Sequence, residues 1–174
     1  TNAYEKPETL GIDRWLAIIA GRQHARQATC IIDCGTAVTI DIVTEKGQHQ
    51  GGLIVPGLSL MKQMLTDNTD ALGHHTQDSE FNLLATNTHS AIEAGTLYMV
   101  TATLENLIHD LQQNFKENIR FLITGGDAEE LIPLLPQPLH HEPDLVLKGL
   151  AQYARQNQQK RKKSPARSPA VTPE

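Results

Sequence analysis

Apolar and polar positions run in short, strand-like bursts through the first third of the chain and on a helical period after it. Residues 10–21, LGIDRWLAIIAG, predict a short helix with Asp13 near its start and Gly21 as its stop. Residues 29–33 and 38–44 are compact runs rich in Ile, Val and Thr, joined through Cys34 and Gly35, and they predict two strands. Gly47 turns the chain within residues 45–50, and 51–56 predict a third strand. Three strands with connections this short predict an antiparallel meander. Pro56 and Gly57 then open a helix in which Leu58, Met61, Met64 and Leu65 keep a helical period.

Residues 66–80 are polar and predict a loop. The longest helical period follows at 88–115, with Ile92, Met99, Leu104, Leu107, Ile108, Leu111 and Phe115 on one face. Ser90 and Glu93 at its start have capping-box spacing. A strand at 119–124 comes next, then the turn Gly125-Gly126-Asp127 and a helix at 128–135 with Asp127 placed as its cap. A short strand near 145–147 and a helix from Gly149 to about Gln158 complete the series. Strand, strand, strand, helix, helix, strand, helix is the order expected of a ribonuclease H-like α/β unit with a mixed sheet.

Composition narrows the class. The chain has 174 residues, enough for one domain with a core or a small pair of subdomains, and its 4% aromatic content leaves the core to Leu, Ile, Val and Ala. The longest apolar run, 15–20, falls far short of the ~20 residues that cross a bilayer. The first ten residues lack the basic-then-apolar order of a signal peptide. No membrane partner and a cytoplasmic location are expected. Cys30 and Cys34 match neither a metal nor a redox spacing and read as reduced thiols. The net charge of −5 is uneven: residues 154–174 carry +5, which leaves −10 on the body. An acidic body argues against nucleic-acid binding. The Pro-, Ser- and Lys-rich end at 160–174 reads as a disordered, solvated tail.

The chemistry-bearing residues sit at element ends. In Asp33-Cys34-Gly35-Thr36-Ala37, Gly35 permits a tight backbone, Thr36 offers a hydroxyl and an N–H to a terminal phosphate, and Asp33 offers a hard oxygen to a cation. A plain turn explains the same residues, but the GGLIVPG strand that doubles back behind it favours the phosphate reading. Asp13 is either a helix cap or a carboxylate that orients an alcohol for phosphoryl transfer, where the nucleophile needs orienting more than early deprotonation. Arg14 is either a fork for an anionic substrate or a solvated arginine. Gly125 and Gly126 let a flat ring approach bare backbone, or simply turn a strand into a helix. The adjacent pairs His74-His75 and His140-His141 read as surface loop, since adjacent side chains do not converge on one metal.

Taken in order, Tyr4, Pro7, Leu10-Gly11-Ile12-Asp13-Arg14, Asp33-Cys34-Gly35-Thr36-Ala37, Gly51-Gly52, Pro56-Gly57, Asn87-Thr88, Ala91-Ile92, Gly95 and Thr124-Gly125-Gly126-Asp127-Ala128 resemble the type III pantothenate kinase family. That family lies within the acetate and sugar kinase, Hsp70 and actin superfamily, so the resemblance implies an actin-like ATPase fold. It covers residues 2–153 and implies ATP-dependent phosphorylation of pantothenate to 4'-phosphopantothenate, the first step towards coenzyme A. It implies Asp13 as general base and Tyr4, Gly11, Ile12, Asp13, Arg14 and Thr88 around pantothenate. It also implies Gly35 and Thr36 at the ATP phosphates, Gly125 and Gly126 near the adenosine, and Asp33 at a monovalent cation, K+ or NH4+. Mg2+ and a homodimer are implied as well.

One departure stands out. The family's Asp-x-Gly-Asn-Thr phosphate loop, which helps to place magnesium, has no match in this chain. The expected organisation is therefore 1–26 as the end of a largely missing first ribonuclease H-like domain, 27–147 as the second, 148–159 as a C-terminal helix and 160–174 as the tail. The chain by itself is expected to be a poor kinase. Two alternatives are a non-catalytic regulatory or scaffold protein of the same fold, and a superfamily kinase acting on a sugar or an acyl acid.

Overall fold

The computed structural model describes residues 1–24, 26–67, 84–115 and 118–163. The expected tail beyond Lys163, most of the 66–80 loop and His74-His75 lie outside them. Three successive runs form β1 (Ala28–Cys34), β2 (Ala37–Val43) and β3 (His49–Pro56), each antiparallel to the next. β4 (Ile119–Thr124) and β5 (His140–His141) join parallel to β1, giving the order β3-β2-β1-β4-β5. The predicted meander and mixed sheet are both present.

Helices cover both faces. α1 (Ile12–His24) and α5 (Leu145–Lys163) pack together on one, where Leu10, Ala17, Ile18 and Ala20 meet Ile31, Val43, Leu122 and Leu145. α2 (Leu58–Asp67) and α3 (Thr88–Asn114) cover the other, where Leu58, Met61, Val100, Leu104 and Ile108 close over Cys30, Ile32, Ile40, Phe121 and Ile123. β1 is buried along nearly its whole length because it lies between the two layers. Two-sided burial explains its continuous apolar run.

Several local expectations give way to packing. Gly21 does not end α1; the helix runs on to His24, and a Cβ at position 21 would lie 3.0 Å from Ile31 Cδ1. That glycine serves helix-to-sheet approach. Residues 145–147 are not a strand but the first turn of α5, whose Gly149 crosses α1 so closely that a Cβ would fall 2.0 Å from the Leu16 carbonyl oxygen. The last strand is instead His140–His141, a pair expected in a loop. α5 also extends through Lys160–Lys163, where the tail was expected to begin.

The caps differ too. α3 is capped by Asn87, whose side chain accepts from the Ser90 N–H, and Asp127 makes no side-chain cap for α4 (Ala128–Leu131). The predicted helix at 128–135 is only that one turn, followed by a 3-10 turn at Ile132–Leu134. On α3, Met99 is exposed; the buried stripe runs through Ala94, Thr96, Val100, Leu104 and Ile108.

Chain direction places the helix starts. α1 ends just before β1 begins, so it runs back along the strand and returns its N-terminus to the strand's C-terminal end. α3 stands in the same relation to β4. With 27 residues it is about 40 Å long at 1.5 Å per residue. β4 spans only about 20 Å, so α3 is longer than the strand it precedes.

Candidate functional site

Ligands of open α/β sheets gather at the C-terminal ends of the parallel strands. Here that end is formed by Asp33, the turn 35–37 and the turn after β4. Gly57 donates its N–H to the Thr36 carbonyl at 2.9 Å, and a Cβ on it would lie 2.0 Å from the Gly35 oxygen. From the other side Gly125, at φ +96°, presses on the Cys34 backbone, leaving 2.3 Å between a would-be Cβ and the Cys34 oxygen. Asp127 then donates its N–H to that oxygen at 3.0 Å. The turn is clasped by bare backbone on two sides, with Thr36 exposed at its tip and Gly126 facing open space. The predicted Gly35–Thr36 and Gly125–Gly126 sets are therefore neighbours.

Asp13, exposed in the first turn of α1, comes to the same end. Its charge is felt by Asp33, whose carboxyl is pushed above the usual carboxylate range first by burial and then by Asp13. Two acids twenty residues apart in sequence are thus electrostatic neighbours in space. Cys34 is pushed up to about 12 by burial, with Asp33 and Asp127 adding to it, and Cys30 is raised further by burial and Asp41. Both thiols stay protonated at neutral pH, as reduced, unreactive cysteines do.

The Asp33 shift carries a pH consequence. The folded state holds this proton more tightly than the unfolded chain, so the group lowers stability as pH rises from about 4, the ordinary carboxylate value. Asp33→Asn is expected to melt higher than wild type at pH 7 in buffer free of K+ and NH4+. The gain should shrink as pH falls towards 4, as paired thermal melts would show. A variant that is less stable at pH 7 would contradict this balance.

Tyr4 and Arg14, both in the predicted set, are brought into direct contact: Arg14 Nη1 donates to Tyr4 Oη at 2.6 Å, and its Cζ lies 5.5 Å from the ring centroid. Arg14 is neither solvated nor an open fork. It is 7% exposed, and its Nε and Nη2 donate to the two oxygens of Asp41 at 2.8 and 2.7 Å. This pairing raises the guanidinium pKa above its ordinary value, chiefly through the Asp41 hydrogen bonds. His49 Nε2 lies 2.8 Å from Asp41 Oδ1. Gly52 admits the fork: a Cβ there would be 2.8 Å from both Arg14 Nη2 and Asp41 Oδ1.

Sequence reasoning missed Asp41 and His49. Asp41 did leave a signal, as a carboxylate in the middle of VTIDIV on the face shared with Val43. A charge there is tolerable only if paired. His49 left none.

Gly11 and Ile12 line a cleft of about 690 Å³ together with Asn2, Pro7, Leu10 and Trp15. Another of about 430 Å³ opens around Gln27, Asn118 and Arg120, at the opposite end of β1 and β4 from these residues. Thr88 is exposed at the first position of α3. Among the described residues no group of three or more His, Cys, Asp or Glu is placed to hold a metal ion, so Mg2+ finds no protein cage here. Asp33 offers one carboxylate beside the backbone and the Thr36 hydroxyl, with Asp13 near enough to act on its charge. Nor is any helix among the described residues long and apolar enough to cross a membrane.

Comparison with known proteins converges on one family. A model of the type III pantothenate kinase family matches residues 1–110. The type III pantothenate kinase of Nitrosococcus oceani is 46% identical over 168 residues, covering 94% of this chain and 63% of the relative. That of Hydrogenovibrio crunogenus is 40% identical over 150 residues, covering 84% and 60%. The chain thus spans about three fifths of the length of these relatives. Among solved structures, a Baf family transcriptional activator from Campylobacter jejuni superposes with a TM-score of 0.62 at 24% identity, covering 90% of this chain and 68% of that one. An activator of the 2-hydroxyisocaproyl-CoA dehydratase from Clostridium difficile, with bound ADPNP, gives 0.52 at 12%, covering 90% and 70%. The fold is of the ribonuclease H-like, actin-like ATPase type.

Proposed function

Because the chain belongs to the type III pantothenate kinase family, we propose that it carries the pantothenate-facing part of a kinase that transfers the γ-phosphoryl group of ATP to pantothenate. The product is 4'-phosphopantothenate, at the first step towards coenzyme A. The observation that carries this reading is the convergence of Asp13 and Asp33 on the strand ends beside the clasped Gly35–Thr36 turn.

Asp13 accepts the proton of the pantothenate hydroxyl as its oxygen bonds to the γ-phosphorus and the bond to the bridging oxygen of ADP breaks. Thr36 and the Gly35 backbone meet the phosphates, and Gly125 and Gly126 border the adenosine. Pantothenate lies against Tyr4, Gly11, Ile12, Asp13 and Arg14. Burial and the neighbouring Asp13 charge both penalise ionised Asp33, and a monovalent cation, K+ or NH4+, would remove that penalty. The working assembly is a cytoplasmic homodimer, in which the start of α3 brings Thr88 of one copy to the pantothenate site of the other. Residues 1–26 act as the link to the phosphate-loop half, and 27–147 as the second ribonuclease H-like unit.

Transfer also needs the opposite side of the phosphates held, and this chain has no Asp-x-Gly-Asn-Thr loop. Half a clamp does not preorganise a triphosphate. The isolated chain is expected to bind pantothenate in calorimetry yet release almost no ADP with ATP, Mg2+ and K+. An extended form, with a segment carrying an Asp-x-Gly-Asn-Thr phosphate loop placed before Thr1, should turn over. Robust turnover by the isolated chain would overturn the incomplete clamp. An extended form that phosphorylates a sugar or acyl acid and ignores pantothenate would overturn the substrate.

A further inference from the structure

Behind the residues proposed to meet pantothenate lies a buried polar cluster, of which Asp41 and His49 have no role in the chemistry described so far. The proton positions in it follow from the partners. Ala3 N–H faces His49 Nδ1 at 3.4 Å, and a backbone N–H only donates, so Nδ1 accepts and Nε2 carries the proton. That proton goes to Asp41 Oδ1 at 2.8 Å. The same oxygen takes Arg14 Nη2, and Oδ2 takes Nε. The unit holds one positive and one negative charge around a neutral imidazole.

The consequence reaches Tyr4. Arg14 Nη1 donates into the phenol oxygen, so the phenol keeps its own hydrogen for a different acceptor. The ring also lies near-parallel to His49, with 6.1 Å between centroids and 23° between planes. Asp41 is 2% exposed and His49 3%, so both act from behind the wall and neither can touch a substrate themselves.

We propose that Asp41 and His49 are positioning residues of the pantothenate site, holding Arg14 and Tyr4 as a charge-balanced unit that presents the Tyr4 hydroxyl as a hydrogen-bond donor to an oxygen of the substrate. This rests on the reading of pantothenate as the substrate. Recognition at this wall then depends on one oriented hydroxyl, and Arg14 acts through Tyr4 in place of pairing with the anion.

The test is calorimetric titration of pantothenate into the chain, with thermal melts run alongside. Tyr4→Phe and His49→Leu are each expected to weaken binding about tenfold, the loss of one oriented hydrogen bond. The double variant should bind no more weakly than Tyr4→Phe, because His49 acts through Tyr4. His49→Gln, whose amide N–H can still donate to Asp41, should stay within about threefold of wild type. If His49→Leu does not fold, His49→Asn takes its place, since its shorter amide falls short of Asp41. Additive losses, or full affinity in His49→Leu beside a weakened Tyr4→Phe, would overturn the positioning role and leave the substrate standing. A wild-type chain that does not bind pantothenate would overturn both.

Discussion

Asp13→Asn in the extended form is expected to lower kcat by about 10²–10⁴-fold, the usual contribution of a positioned general base. Binding should survive. Asn has the same shape, occupies a helix N-terminus as readily as Asp, and still accepts a hydrogen bond through its carbonyl. What it lacks is a site for the hydroxyl proton. Because Asp13 is exposed in the first turn of α1, no buried partner is lost with its charge. The substitution also removes the like charge that helps to raise Asp33, so Asp33 should ionise more readily in the variant. Steady-state kinetics with calorimetric titration of pantothenate and ATP would check it. An unchanged kcat would dismiss Asp13 as the base, and a collapse of pantothenate affinity with kcat intact would make it a binding residue only.

Asp41→Asn acts on a different link, the fold. Arg14 and Asp41 are 7% and 2% exposed, so the variant leaves a guanidinium charge uncompensated inside the protein. Removing one partner of a buried pair costs about 3–5 kcal/mol, a large share of the 5–15 kcal/mol that holds a typical domain together. At about 2–4 °C per kcal/mol for a chain of this size, the melting point should fall by about 10 °C. The pair's net contribution is much smaller than the cost of breaking it, because both ions were taken out of water to form it. The double variant Arg14→Met, Asp41→Leu should therefore recover only part of the lost stability, because it leaves the buried His49 Nε2–H unpaired, and it should fail to position Tyr4.

The raised Arg14 pKa adds no pH dependence near neutrality. Its stabilisation is complete below the unfolded value and is lost only as pH climbs through the still higher folded one. Thermal melts of the wild type, single and double variants between pH 6 and 9 decide the matter. A single variant as stable as wild type would show that the charge pair holds nothing in place.

Much of this molecule was legible in one dimension. Runs of Ile, Val and Thr marked β1 to β4 to within two residues, and the apolar period marked the whole of α3 and one residue beyond it. Those signals are local: a strand's side chains alternate and a helix's repeat, whatever lies opposite. The reading failed where a partner made the choice. Residues 145–147 look like a strand but begin α5, because they cover the sheet beside α1 and Gly149 must cross Leu16. Asn87 caps α3 although Ser90 and Glu93 have the spacing for it.

The site divides along the same line. The residue types and their order, Asp13 with Arg14, then Asp33 to Thr36, then Gly125 and Gly126, are properties of the chain and sufficed to suggest phosphoryl transfer. That Asp13 stands beside Asp33 follows from α1 running antiparallel to β1. That Arg14 belongs to Asp41 and His49 follows from β2 and β3 passing under α1 with Gly52 leaving room for the fork. Pairing of charges depends on distance through space and on exclusion of water, and neither quantity exists until the helix has been laid on the sheet.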